Sequence, residues 1–321
     1  MNERLMVVVA YDEAQSLDIC CVTSALDSAN WGAHPPYRVR LATPGGRAIT
    51  CTDGLTMQGH VSLERLTGPL DTLIVAGGMG HARAAANPRI VGHVRRLANE
   101  SRRVASVCTG AAVLAAAGLL DGRRAATHWM WVDKIAAEYP KVTFDPGPIY
   151  IREGNVATSA GVTSALDLTL SFIEEDHGPE LARGVAQMLV TYLQRPGNQA
   201  QMSMFVAAGP PDHGVVRRIT DHIASNLAGD LTTAALAALA GVSERHLTRL
   251  FLEHLRQTPG RYVRQVRTEA AAHLLATTSR PIASVAKRCG FGSAETLRLA
   301  FVDRYGIPPS RYRAVHLRLA G

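Results

Sequence analysis

The chain has 321 residues, 47% hydrophobic and 19% charged, which is too long for one ordinary core and too apolar for extended disorder. Its net charge of +7 is unevenly spread: residues 1–194 carry 17 Lys and Arg against 19 Asp and Glu, whereas residues 195–321 carry 17 against 8. Two folded domains are expected, and the basic excess in the second is the footprint of a polyanion binder.

In chain order, the apolar run that precedes Asp12 is shorter than a signal-peptide core or a membrane span, so a cytoplasmic protein without membrane contact is expected. Residues 5–10, 37–42, 72–76, 104–107 and 156–159 read as strands. Residues 90–99 and 164–174 read as helices between them. This alternation predicts a doubly wound α/β domain over residues 1–194, its mainly parallel sheet covered on both faces.

Within that domain a buried strand pattern runs into Cys108 and directly on into a small-residue helix. A thiol at such a turn stands above the sheet edge under a helix N-terminus, which lowers its pKa and favours thiolate. The same spacing also fits a small buried residue. The five cysteines are an odd number without CxxC spacing, and His81, His93 and His128 share no ligand spacing, so neither a disulfide framework nor a metal site is expected. Gly77-Gly78 lies in no dinucleotide or Walker pattern, and no cofactor is expected. Trp129 and Trp131 read as packing or subunit-contact residues.

Residues 195–213 gather Pro, Gly, Gln and Asn and read as a linker. Residues 214–321 show no strand-like run, so an all-helical second domain follows. It contains an internal repeat. Ala237 and Gly241 align with Ala286 and Gly290; then Ser243, Leu247, Phe251, Pro259, Arg261 and Tyr262 align with Ser293, Leu297, Phe301, Pro309, Arg311 and Tyr312. Each copy meets the demands of a helix-turn-helix. A small Ala lets the helices approach, Gly can take positive φ in the turn, and Ser stands at the N-cap of the second helix. Leu247 with Leu250, and Leu297 with Ala300, supply the inward stripe.

The repeat, the run Gly290-Phe291-Gly292-Ser293 and the ending Gly306 to Arg313 resemble the DNA-binding domain of AraC/XylS-family regulators. The resemblance implies two recognition helices, joined by the long helix around residues 263–276, in successive major-groove segments. By position in the motif, Ser243, Arg245, Thr248 and Arg249 face DNA from the first, and Ser293, Glu295, Thr296 and Arg298 from the second. Arg suits guanine and Glu suits cytosine. Arg261 and Arg311 are structural or phosphate-directed. Ala294 and Leu299 stand where many relatives carry more polar residues.

Residues 5–193 resemble the ThiJ/PfpI group of the class I glutamine-amidotransferase-like fold. Ala76-Gly77-Gly78 matches the pocket loop, Cys108 the elbow cysteine, Thr127-His128 the place of a histidine in some members, and Asp18 the place of a carboxylate, usually Glu. Cys108, His128 and Asp18 would be the minimum for covalent hydrolysis. Thr109 stands where the PfpI proteases carry histidine, so a peptidase is not expected. The domain order is that of amidase-like AraC regulators of the GlxA or FtrA type. It implies a non-enzymatic transcription regulator that binds operator DNA as a homodimer, with RNA polymerase as a partner the family allows. A small polar, amine- or amino-acid-like effector would bind at Asp18, Gly77, Gly78, Cys108, Thr109 and His128. The alternatives are a cysteine-dependent hydrolase, or a redox sensor in which Cys108 is oxidised.

Overall fold

The apolar runs of the first half pair into one sheet in the computed structural model, which describes residues 3–191, 195, 197, 199, 201 and 213–317. The strands are β1 (Arg4–Val9), β2 (Tyr37–Thr43), β3 (Ile49–Thr50), β4 (Thr56–Met57), β5 (Val61–Ser62), β6 (Leu70–Val75), β7 (Ser101–Val107), β8 (Arg124–Ala125), β9 (Thr143–Phe144), β10 (Tyr150–Glu153) and β11 (Val156–Ser159). Seven of them form the sheet in the order β10-β11-β7-β6-β1-β2-β5, parallel except for β10 against β11. The edge strands β5 and β10 have too few β-branched residues to be read from the sequence.

Around the sheet lie α1 (Ser16–Ala29), α2 (His81–Ala86), α3 (Pro88–Asn99), α4 (Gly110–Ala116), α5 (Val132–Glu138), α6 (Thr163–His177) and α7 (Pro179–Met188). Strand β1 alternates between the two cores, because successive side chains of a strand point to opposite faces. Met6 and Val8 pack with Ile19 and Val22 of α1 and Phe172 of α6. Val7 and Val9 pack with Val94 and Leu97 of α3 and Val113 of α4. Both faces are therefore covered, as a parallel sheet requires. From β1 the chain steps outward through β2 to β5, then returns beside β1 and steps the other way through β6 to β7 and β11. In open α/β sheets a ligand crevice lies at such a reversal, outside the carboxyl ends of the strands.

At the opposite end of the sheet, Arg103 near the start of β7 is buried with Asp176 of α6 at 2.5 Å. Arg102 joins Asp176 at 2.7 Å and Asp71 at 2.8 Å. A buried guanidinium is tolerated because several carboxylates answer it at once.

The chain divides into two compact units, Met1–Gln201 and Met202–Gly321. The expected linker therefore begins on the first unit. Arg195 Nε donates to Asp167 Oδ2 at 2.9 Å, the Ile149 amide donates to Gln199 O at 2.9 Å, and the Gln201 amide donates to Gly147 O at 2.9 Å. The side chain of Gln201 donates to the carbonyls of Thr127 and Pro148 and accepts from the Trp129 amide. Of the expected linker, residues 196, 198, 200 and 202–212 lie outside the described residues.

The second unit is helical: Gly214–Ser225, Thr233–Ala240, Glu244–Leu255, Pro259–Thr277, Ile282–Arg288, Ala294–Tyr305 and Pro309–Leu317. Val216, Ile219, Leu236, Leu247, Phe251, Tyr262 and Val266 share its first core. The repeat extends to ring packing. Phe251 meets Tyr262 edge-on with centroids 5.7 Å apart, and the equivalent Phe301 meets Tyr312 edge-on at 5.0 Å. This gives a physical reason for the tyrosine in each ending: its ring closes the core over the phenylalanine of the preceding helix. Among the described residues no helix is long and apolar enough to cross a membrane.

Candidate functional site

Strand β7 ends at Val107, and the next residue, Cys108, with a φ of 53°, turns the chain sharply toward α4. A non-glycine residue at positive φ persists only where its surroundings over-determine it. Here the Cys108 amide donates to Ser159 O at 2.9 Å and its carbonyl accepts from Thr127 Oγ1 at 3.0 Å. Gly161, at φ 86°, leaves the space into which the elbow fits; a Cβ at that position would meet the Cβ, Cα and amide nitrogen of Cys108. Thr109 latches the next turn to the loop after β6, its hydroxyl donating to Gly78 O and accepting from Gly78 N, each at 2.9 Å.

Asp18, in the first turn of α1, is fully buried at the reversal. Its Oδ1 accepts from the Val162 amide at 2.6 Å and its Oδ2 from the Gly77 amide at 3.2 Å, with the Cys108 thiol as a polar neighbour. Burial pushes its carboxyl up to about 6 against the opposing pull of those three groups. Burial, then the Asp18 charge, pushes the Cys108 thiol well above its ordinary range. The expected thiolate is thereby corrected. Helix α4 has only seven residues, and its N-terminal field is outweighed by desolvation and a neighbouring carboxylate. Tyr11 completes the buried cluster, its hydroxyl donating to Ala76 O at 2.9 Å.

The structure thus brings Asp18, Gly77, Gly78, Cys108 and Thr109 together. His128 is differently engaged: its Nδ1 accepts from the Met130 amide at 3.3 Å, its ring lies against Trp129, and burial lowers its pKa. Among the described residues no hydrogen bond joins His128 to Cys108 or Asp18. His81 is buried nearer the site, with Nδ1 2.9 Å from Gly78 O and its ring edge-on to Trp131. Sequence reasoning missed Tyr11 and Val162 and gave Gly161, in the family-like run Thr158 to Gly161, no role at the site; only the fold shows Gly161 and Val162 reaching Cys108 and Asp18.

In the second unit the caps form as expected. Ser243 Oγ accepts from the His246 amide at 3.2 Å, and Ser293 Oγ from the Thr296 amide at 3.1 Å. Thr296 returns the bond, its Oγ1 accepting from the Ser293 amide at 3.0 Å. Its hydroxyl therefore serves the cap, a role the sequence reading gave only to the serine. Arg245, Thr248 and Arg249 stand on the outer face of Glu244–Leu255, opposite buried Leu247, Leu250 and Phe251. Arg249 lies 3.3 Å from His246 Nδ1. Arg298 is paired with both oxygens of Glu295, at 2.8 and 2.7 Å.

The turns differ in their surroundings. Gly241 and Gly290 both have positive φ, 69° and 76°. A Cβ at Gly241 would meet nothing, whereas one at Gly290 would meet Leu227 O and the Arg267 guanidinium, which itself donates to Leu227 O at 2.9 Å.

Residues 3–175 match the DJ-1/PfpI family, and residues 236–314 match a helix-turn-helix domain. The HTH-type transcriptional regulator CdhR of Pseudomonas aeruginosa is 31% identical over 279 residues, 87% of this chain and 82% of its own. The isonitrile hydratase of Pseudomonas putida is 30% identical over 189 residues, 58% of this chain and 77% of its own. A solved ThiJ/PfpI family protein from Pseudomonas syringae superposes with a TM-score of 0.56 at 23% identity, covering 75% of this chain and 92% of that one, a likeness of fold.

Proposed function

Because the chain belongs to the DJ-1/PfpI family and is a DNA-binding transcription regulator of the helix-turn-helix type, we propose that a small polar metabolite bound at the Cys108 elbow controls its hold on the operator. The observation that carries this reading is the Asp18–Cys108 pair. A fully buried acid, held by the Val162 and Gly77 amides, neighbours a thiol at the sheet reversal, and burial pushes that thiol up toward its protonated form. A protonated thiol is a poor nucleophile and a poor target for oxidation, which speaks against both hydrolase and redox-sensor readings. Gly77, Gly78 and Thr109 wall the same site, and His128 faces Met130. The effector changes DNA affinity only by the ratio of its own affinities for the two protein states. A cytoplasmic homodimer on paired half-sites, in contact with RNA polymerase, completes the reading.

One observation favours turnover instead: the likeness to isonitrile hydratase spans 189 residues. Both readings are tested on the full chain and an operator selected from genomic DNA at near-physiological salt, where nonspecific phosphate contacts are weakened. Amino acids, quaternary amines and an alkyl isonitrile are added in turn. One of the first two classes is expected to shift operator affinity by about fivefold or more, and Asp18→Asn to remove that shift. Consumption of the isonitrile by wild type and not by Cys108→Ala would establish a hydratase. No shift and no turnover would sink the effector reading.

A further inference from the structure

The second recognition helix shows solvent a face unlike that of the first. Leu297, Ala300, Phe301 and Tyr305 point into the core. Residues 295, 298, 299 and 302 then share the outer face, since positions three, four and seven apart lie on one side of a helix. The repeat places Leu299 where the first copy has Arg249. Leu299 is 52% exposed. Beside it the Glu295 carboxylate fills the guanidinium fork of Arg298, so the two charged residues of this face are paired with each other. Val302, one turn on, is half-buried.

A lone exposed leucine on a protein surface needs no explanation. This one stands in the middle of the face that a recognition helix turns toward DNA, next to a pair of net charge zero. In the major groove, thymine is distinguished by its C5 methyl group, an apolar mark that a leucine can cover and an arginine cannot use.

We propose that Leu299 reads the 5-methyl group of a thymine, so that the second helix selects by apolar contact where the first selects by hydrogen bonding. The proposal rests on the second helix-turn-helix facing DNA. Covering one methyl group contributes about a fourfold change in affinity, from about 0.8 kcal/mol per buried CH₂.

The test uses the full chain and an operator selected from random DNA, with thymines replaced singly by deoxyuridine, which removes the methyl and leaves base pairing intact. Wild type is expected to lose about fourfold at a thymine in the second helix's subsite. Leu299→Ala should bind thymine and uracil alike there, whereas Leu299→Met, which keeps an apolar contact, and Arg249→Ala should retain the uracil penalty. Selected binding without any uracil-sensitive thymine, or a penalty that survives Leu299→Ala, overturns the proposal and leaves DNA binding intact. Failure of the wild type to select any sequence removes the DNA-facing reading and this proposal with it.

Discussion

The Cys108 elbow and the recognition helices are both turns into a helix N-terminus, and they dispose of their polar groups in opposite ways. At the elbow, Asp18 accepts from two backbone amides, Thr109 both donates to and accepts from Gly78, and Tyr11 donates to Ala76. On Glu244–Leu255, the side chains of Arg245 and Thr248 make no hydrogen bond among the described residues. A buried site must satisfy its own groups, because each one left unpaired is costly. An exposed helix face is covered by water, so its donors can stand free of protein partners. The difference locates rigidity at the elbow and adaptability on the helices.

If the elbow is over-determined by its packing, the largest effect should come from Gly161→Ala. The new Cβ collides with Cys108 and the backbone is already at positive φ, which together cost about 2 to 5 kcal/mol. Thermal unfolding of the full chain should show the first unit's transition lowered or absent and the second unit's unchanged. An unshifted first transition would mean that the elbow yields.

The next effect concerns charge. Asp18 holds its proton more tightly in the folded state, at about 6 against an ordinary 3.8. The native state then binds more protons than the unfolded state between those values, so stability is fully present below about 3.8 and is lost as pH rises through about 6. The shift corresponds to about 3 kcal/mol. In urea titrations from pH 4 to 7, the difference between wild type and Asp18→Asn should follow that course. A difference independent of pH would show that Asp18 is not desolvated as described.

The smallest effect sharpens the comparison inside the repeat itself. Gly241→Ala meets only the backbone cost of positive φ, about 1 kcal/mol, whereas Gly290→Ala also strikes Leu227 O and should cost about 2 kcal/mol more. Equal losses in chemical denaturation would show that the loop at Leu227 gives way.

The sequence carried the strand runs at 5–10 and 104–107 because β-branched alternation is local, and the helix-turn-helix copies because a repeat is seen without any fold. It also placed Cys108 and Asp18 in one family pocket. What it could not carry depends on distance and direction. The Val162 amide reaches Asp18 across 144 positions, and His128 turns to Met130 although it follows the Thr127 that does bond the elbow. The thiol's raised pKa reflects burial, which the adjacency of a helix cannot reveal. Arg103 is buried inside a strand and Leu299 is exposed on a helix, both against hydropathy, because ion pairing sustains the first and the face of the helix places the second.

Gln201 bears on how such a protein can be taken apart and reassembled. Its side chain spans Thr127, Trp129 and Pro148 of the first unit, although the compositional seam falls before Arg195. A recombination event that cut at the seam would strip Gln201 from all three, and with it Arg195 from Asp167 and Gln199 from Ile149. A chimera that respects the fold breaks the chain after Gln201, and the strap travels with the first unit.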